Sequence, residues 1–308
     1  METTATSHAE VSAPASAPER AGVRMWRDAL GSPVSSAVTA LLFVVLFANP
    51  MQKLAWDWWN NPEAGHGLLL APLALWFIYR GRIRDDARPA VKLGLLILAG
   101  AVLIRYASGL AAELYTMKMS MVMALGGLVV YAYGFRQLLQ WWLPFTLLWL
   151  SVPLPELVTA GLALPLQFQA SRMGAALLEW RDIPVRLDGN VIRLPGHTLF
   201  VAEACSGLRS ITSLLALSVL LGGMILNGPL SRGLLILVAI PIAIVINAVR
   251  VFLTGFLVLF IGPEFGEGFM HTTEGWLMFL VAFAMLGLAA WLIGRGASLF
   301  TRLRTSHA

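Results

Sequence analysis

Apolar runs long enough to cross a bilayer recur along this 308-residue chain, and nothing else restricts its fold so strongly. A hydrocarbon core of ~30 Å needs about 20 residues of helix at ~1.5 Å each. Inside it every backbone N–H and C=O must be bonded within the segment, which leaves helices as the solution for such runs. One run begins at Val34 and meets Asn49 and Pro50; others cover 65–80, 93–112, 117–134, 138–153, 207–226, 234–262 and 275–293, eight in all. The expected fold is an all-α polytopic membrane protein whose natural partner is the lipid bilayer. Side chains that are 58% hydrophobic and 13% charged exclude an ordinary water-soluble globule.

Residues 1–33 are rich in Ala, Ser, Pro and Thr, lack an apolar face, and read as a disordered cytoplasmic tail. The transmembrane domain is expected over 34–293, with a second short cytoplasmic tail over 294–308. One insertion, 153–204, breaks the rhythm of spans. Its first part mixes apolar residues with Gln167, Gln169, Ser171 and Arg172, as an interfacial or bundle-packed helix would. Its second part alternates apolar and polar residues around Asp188, Gly189 and Asn190, the pattern of a small β-hairpin.

Lys and Arg in short loops mark the cytoplasmic side. With the N-terminus inside, thirteen fall there, from Arg20 to Arg304, against seven outside, four of these in the long insertion. That arrangement puts 153–204, Cys205, His66, His197 and His271 on the outer face. The net charge of +5 is then a topology signal, and no nucleic-acid partner is expected.

The stretch VAEACSGLRSIT, 201–212, holds the sole cysteine, Cys205, where a polar loop enters an apolar run. A lone cysteine excludes an internal disulfide and any multi-cysteine metal site. Two readings stay open. Cys205 is either a small buried hydrophobe or a nucleophile, and a thiolate there would be favoured by the N-terminus of the following helix and by Arg209 one turn on. Glu203 and Ser206 complete its polar surroundings.

Asn247 and Arg250 lie three residues apart within the run PIAIVINAVRVFLTGF, hence on one helix face. An arginine near the middle of a span costs at least ~2.5 to 3.5 kcal/mol, so it must meet protein or water. It is either an inter-helix clamp or a functional cation, at the outer interface or deeper. His271 falls in GEGFMHTTEGW, expected as a glycine-rich outer turn with Thr272, Thr273 and Glu274 capping the last helix. As a base for a thiol it competes with His66, in AGHGLLL, and less strongly with His197. No metal-ligand spacing occurs, and no cofactor is expected.

The block ACSGLRS, followed by N-x-x-R and then by an outer histidine, resembles the exosortases, bacterial polytopic enzymes that process a PEP-CTERM sorting signal. The resemblance extends through HGLLLAPLALWFIYR, LPLQFQASRMGAALLE and RLDGNVIRLPG, most of residues 56–293. It implies a cysteine protease or transpeptidase of the inner membrane, with its active site at the periplasmic face. Cys205 would be the nucleophile, His271 the acid/base and Arg250 the stabiliser of developing negative charge, supported by Arg209, Asn247, Ser206, Glu203 and His66. Its partners would be membrane-anchored proteins carrying a C-terminal sorting signal, in connection with exopolysaccharide and surface export. Two other classes compete: a transporter whose pathway Arg250, Asn247 and Arg209 would line, and a non-catalytic scaffold of an export system.

Overall fold

A computed structural model of the protein describes residues 32–61, 63–201, 207–262 and 268–306, with side chains outside 268–274 and 299–306. Of the N-terminal tail expected over 1–33, all but Ser32 and Pro33 lies outside the described residues. Ser32 instead caps the first helix, α1 (Pro33–Asn60), its side chain accepting from the Ser35 amide at 3.1 Å. Next come α2 (Gly67–Arg80), α3 (Val91–Leu110) and α4 (Leu114–Tyr133), followed by two short helices, α5 (Phe135–Gln140) and α6 (Trp142–Leu150). The remainder comprises α7 (Glu156–Trp180), strands β1 (Arg186–Asp188), β2 (Val191–Leu194) and β3 (His197–Phe200), then α8 (Leu208–Ile225), α9 (Pro229–Phe260) and α10 (Gly268–Ser306).

Among the described residues six helices are long and apolar enough to cross a membrane: α1, α3, α4, α8, α9 and residues 275–298 of α10. This corrects the expected count of eight. The run 65–80 forms a helix of 14 residues, α2, about 21 Å long at the usual helical rise. The run 138–153 is broken at Trp141, whose φ of −89° and ψ of 29° interrupt the helix. These two runs are apolar for a different reason. They pack on each other and bury Leu70, Ala71, Ala74, Leu147 and Leu148 inside the bundle. Hydropathy records an apolar environment without saying whether lipid or protein supplies it.

The chain forms two groups of helices. In the first, α3 and α4 make the most extensive pair, α1 leans on α4, and α2 packs on α6. In the second, α9 is central and touches α7, α8 and α10. Contacts between α6 and α8 join the groups, through a core shared by Leu147, Leu148, Ala216, Val219 and Leu220.

The insertion holds a three-stranded antiparallel sheet in the order β1-β2-β3, one strand more than the expected hairpin. The turn at Gly189 and Asn190 joins β1 to β2, where the hairpin is expected. A second two-residue turn, Pro195 and Gly196, folds the chain back from Leu194 to His197 and adds β3. Ile192 and Leu194 of β2 are buried against Ala170 and Leu178 of α7 and Val251 of α9. Helix α7 is bundle-packed, in keeping with its mixed composition, and buries Gln167, Ser171 and Gly174. The α7–α9 crossing is close: a β-carbon on Gly174 would fall 2.5 Å from Cγ1 of Val251.

Candidate active site

Helix α9 carries the described part of the site. It has 32 residues, about 48 Å, more than a ~30 Å core requires. Pro229 starts it in the first turn, where a missing N–H costs nothing. Near that end Arg232 donates from Nε to the Leu226 carbonyl at 3.1 Å, and its guanidinium stacks 4.8 Å over the Trp142 ring. Asn247 and Arg250 follow about 25 Å further along, by the same rise. Arg232 thus lies in the first turns of α9 and Arg250 in its second half.

Asn247 is buried, 5% exposed, and lies against the entry to α8. That entry is Gly207, which caps α8 with φ 85° and ψ −2°, the left-handed conformation that L side chains avoid. A β-carbon on Gly207 would fall 2.9 Å from both Cγ and Nδ2 of Asn247. Two constraints, backbone and contact, thus coincide on one residue next to ACS.

Arg250 is half-buried one turn further on. Its guanidinium rests on α10: a β-carbon on Gly275 would lie 3.2 Å from Nη2 and 3.3 Å from Cζ. The face that pairs Asn247 with Arg250 in the sequence therefore meets two different helices, α8 through Gly207 and α10 through Gly275. Neither glycine stands out in the sequence. Gly207 is signalled only by its place just before an apolar run, and Gly275 by nothing short of its neighbour.

Cys205, Ser206 and Glu203 lie outside the described residues. Arg209 is exposed in the first turn of α8. His271 occupies a helical position in the first turn of α10, which corrects the expected outer turn: Thr272, Thr273 and Glu274 are inside the helix too, which starts at Gly268 and so leaves them no capping role. The change moves His271 from a loop to a helix position one turn before Gly275.

His66 is at the same end of the bundle but in the first group of helices. It precedes α2, and its Nε2 donates to the Leu150 carbonyl at 3.1 Å. Beside it the Trp58 indole donates to the Ser151 carbonyl at 2.7 Å, and a β-carbon on Gly67 would collide with that indole. His66 and Trp58 together thus join α1, α2 and the end of α6. His197 starts β3, opposite Leu194.

A shallow depression of about 10 Å³ opens between α7, α8 and α9 at Gly207 and Asn247; Leu166, Gln169, Ile211 and Ala243 also line it. Asn190 stands at the other approach to the cysteine stretch. Its Nδ2 donates to Oε1 of Gln167 and to the Val201 carbonyl, at 3.2 and 3.3 Å, and so fixes the residue where the sheet hands over the chain. Helices α8 and α9 contain no Asp or Glu and carry Arg209 and Arg250. Among the described residues no three His, Cys, Asp or Glu side chains gather as metal ligands would.

The transmembrane exosortase family model matches residues 58–288, from the end of α1 into the last span. The chain belongs to this family. Comparison with curated proteins and with solved structures finds no match. The exosortase match takes in ACSGLRS, Asn247, Arg250 and His271, together with both helix groups and the sheet. The protein is thus a multi-pass membrane protein of a sorting-related enzyme family.

Proposed function

We propose that this exosortase is a membrane cysteine transpeptidase or protease that cleaves a C-terminal sorting signal of the PEP-CTERM type. The observation that carries the reading is the double engagement of α9: Asn247 against Gly207, and Arg250 against Gly275. Cys205 is two residues from Gly207, and two residues of chain reach at most about 7 Å. His271 precedes Gly275 by one helical turn, about 6 Å of rise. The three chemically distinct residues thus belong to segments that meet a single helix face.

In this mechanism the Cys205 thiolate adds to the carbonyl carbon of the scissile peptide, forming a C–S bond and an oxyanion that Arg250 stabilises. The C–N bond then breaks, and the leaving amine takes its proton from His271. The amino-terminal part of the substrate remains as a thioester on Cys205. An incoming amine gives transpeptidation and water gives proteolysis, each deprotonated by His271 as it attacks. Arg209 and the helix N-terminus favour the thiolate, while Asn247, Ser206, Glu203 and His66 support the site. The excess of basic residues at the Arg232 end supports an inner-membrane orientation with the cysteine facing the periplasm.

The test is mass spectrometry of a membrane-anchored substrate's new C-terminus, with native enzyme and with Cys205→Ala and Cys205→Ser. Both variants are expected to fold and to leave the substrate uncleaved. Normal processing by either would sink the nucleophile assignment.

A further inference from the structure

The two glycines that meet α9 differ in kind. Gly207 is held by its left-handed backbone as well as by Asn247, so any side chain there strains the chain wherever the amide sits. Gly275 lies within α10, where alanine is the better helix former, and the three atoms nearest a built β-carbon all belong to the Arg250 guanidinium. Alanine at 275 would push Nη2 and Cζ from 3.2 and 3.3 Å to an ordinary contact distance, a shift of a few tenths of an ångström. An arginine that stabilises an oxyanion is sensitive to displacements of that size, because its donors must lie at hydrogen-bond distance from where charge develops.

We infer that Gly275 is a positioning residue: its bare α-carbon forms the seat on which the Arg250 guanidinium rests, and so sets where the cation stands over the cleavage site. The inference rests on the cysteine mechanism proposed above. It adds a residue outside the Cys, Arg and His set, and it gives the last helix a second task besides carrying His271.

Helix α10 supplies its own control. Gly287, three turns further on, has nothing within 4 Å of a built β-carbon. Gly275→Ala and Gly287→Ala therefore carry the same gain in helix propensity, and only the first touches the arginine.

The experiment uses the full chain in proteoliposomes with a membrane-anchored substrate bearing the sorting tail, and measures kcat, KM and thermal unfolding. Gly275→Ala is expected to unfold at or above the native temperature, to lower kcat by about tenfold or more, and to leave KM unchanged. Gly287→Ala is expected to keep native kinetics. In an Arg250→Lys background, whose slender amine does not need the seat, Gly275→Ala is expected to cost nothing further. Native kcat in Gly275→Ala overturns the proposal, as does an equal loss with either residue at 250. Cys205→Ala, run in parallel, separates the two levels. If it is inactive and Gly275→Ala is native, only the seat fails. If it is active, the cysteine mechanism fails and the seat with it.

Discussion

The two helix groups set their buried polar side chains in different surroundings. In the first, several polar groups reach a side chain or a carbonyl on another segment. Lys118, 4% exposed on α4, pairs with Asp57 of α1. Gln137 is fully buried; it accepts from the Arg84 amide at 2.9 Å and donates to the Arg82 carbonyl at 3.2 Å. Trp58 and His66 each donate to a carbonyl at the end of α6. In the second, Asn247 and Arg250 are held where glycines let two helices come close. Lys118, Asp57, Gln137 and Trp58 serve assembly; Asn247 and Arg250 on α9 lie beside the segments that carry Cys205 and His271. Substitutions at these four first-group positions are therefore expected to move stability and leave turnover per folded molecule alone, with the reverse at Asn247 and Arg250.

Breaking the Lys118–Asp57 pair is the strongest test of that contrast. Lys118→Met leaves a largely buried carboxylate without its cation, which costs about 3 kcal/mol or more. Unfolding in a mixed-micelle titration is expected to shift by that amount, while kcat of the surviving folded enzyme stays native. A large loss of kcat would place this pair in the site and dissolve the division between the groups.

Gly207→Ala sharpens the contrast from the other side. The left-handed backbone costs an alanine about 1 to 2 kcal/mol, and the contact with Asn247 adds to it. Stability is expected to fall modestly. Processing is expected to fall much further than the loss of folded protein explains, because the segment holding Cys205 must shift relative to α9. Equal proportional losses in both measurements would make Gly207 a structural cap only.

The difference between the groups also governs which features are legible in the amino-acid sequence. Long spans are legible, because a helix facing lipid on several sides must be apolar over its whole length. The α2 and α6 segments carry the same signal through burial in protein, so composition does not separate them from spans. Asn247 and Arg250 stand out because they interrupt an apolar run, and their spacing places them on one face. Their partners do not, since the chain has 28 glycines and only the neighbouring helix shows that Gly207 and Gly275 matter. His271 reads as a loop residue because Gly266 and Gly268 flank it on one side and Gly275 on the other. The helix starts at Gly268 and absorbs both the histidine and its expected capping residues.

The smallest effect is expected where the first group meets water. Arg84 donates from Nε to Oδ1 of Asp86 at 2.6 Å, and this bond, with the positive charges of Arg84 and Arg136 nearby, holds the Asp86 carboxyl down to about 2. A carboxyl lowered in the folded state contributes stability above its unfolded pKa and loses it as pH falls through the folded value. Whatever Asp86 adds is therefore fully present from about pH 5 upward and disappears toward pH 2. Both partners are well exposed, so the pair is screened by solvent and salt. Asp86→Asn is expected to leave thermal unfolding between about pH 6 and 8 within experimental scatter of native, and to flatten the acid limb below about pH 4 only slightly. A drop at neutral pH comparable to that of Lys118→Met would show that the loop between α2 and α3 bears on assembly as strongly as the buried pair does, which its exposure argues against.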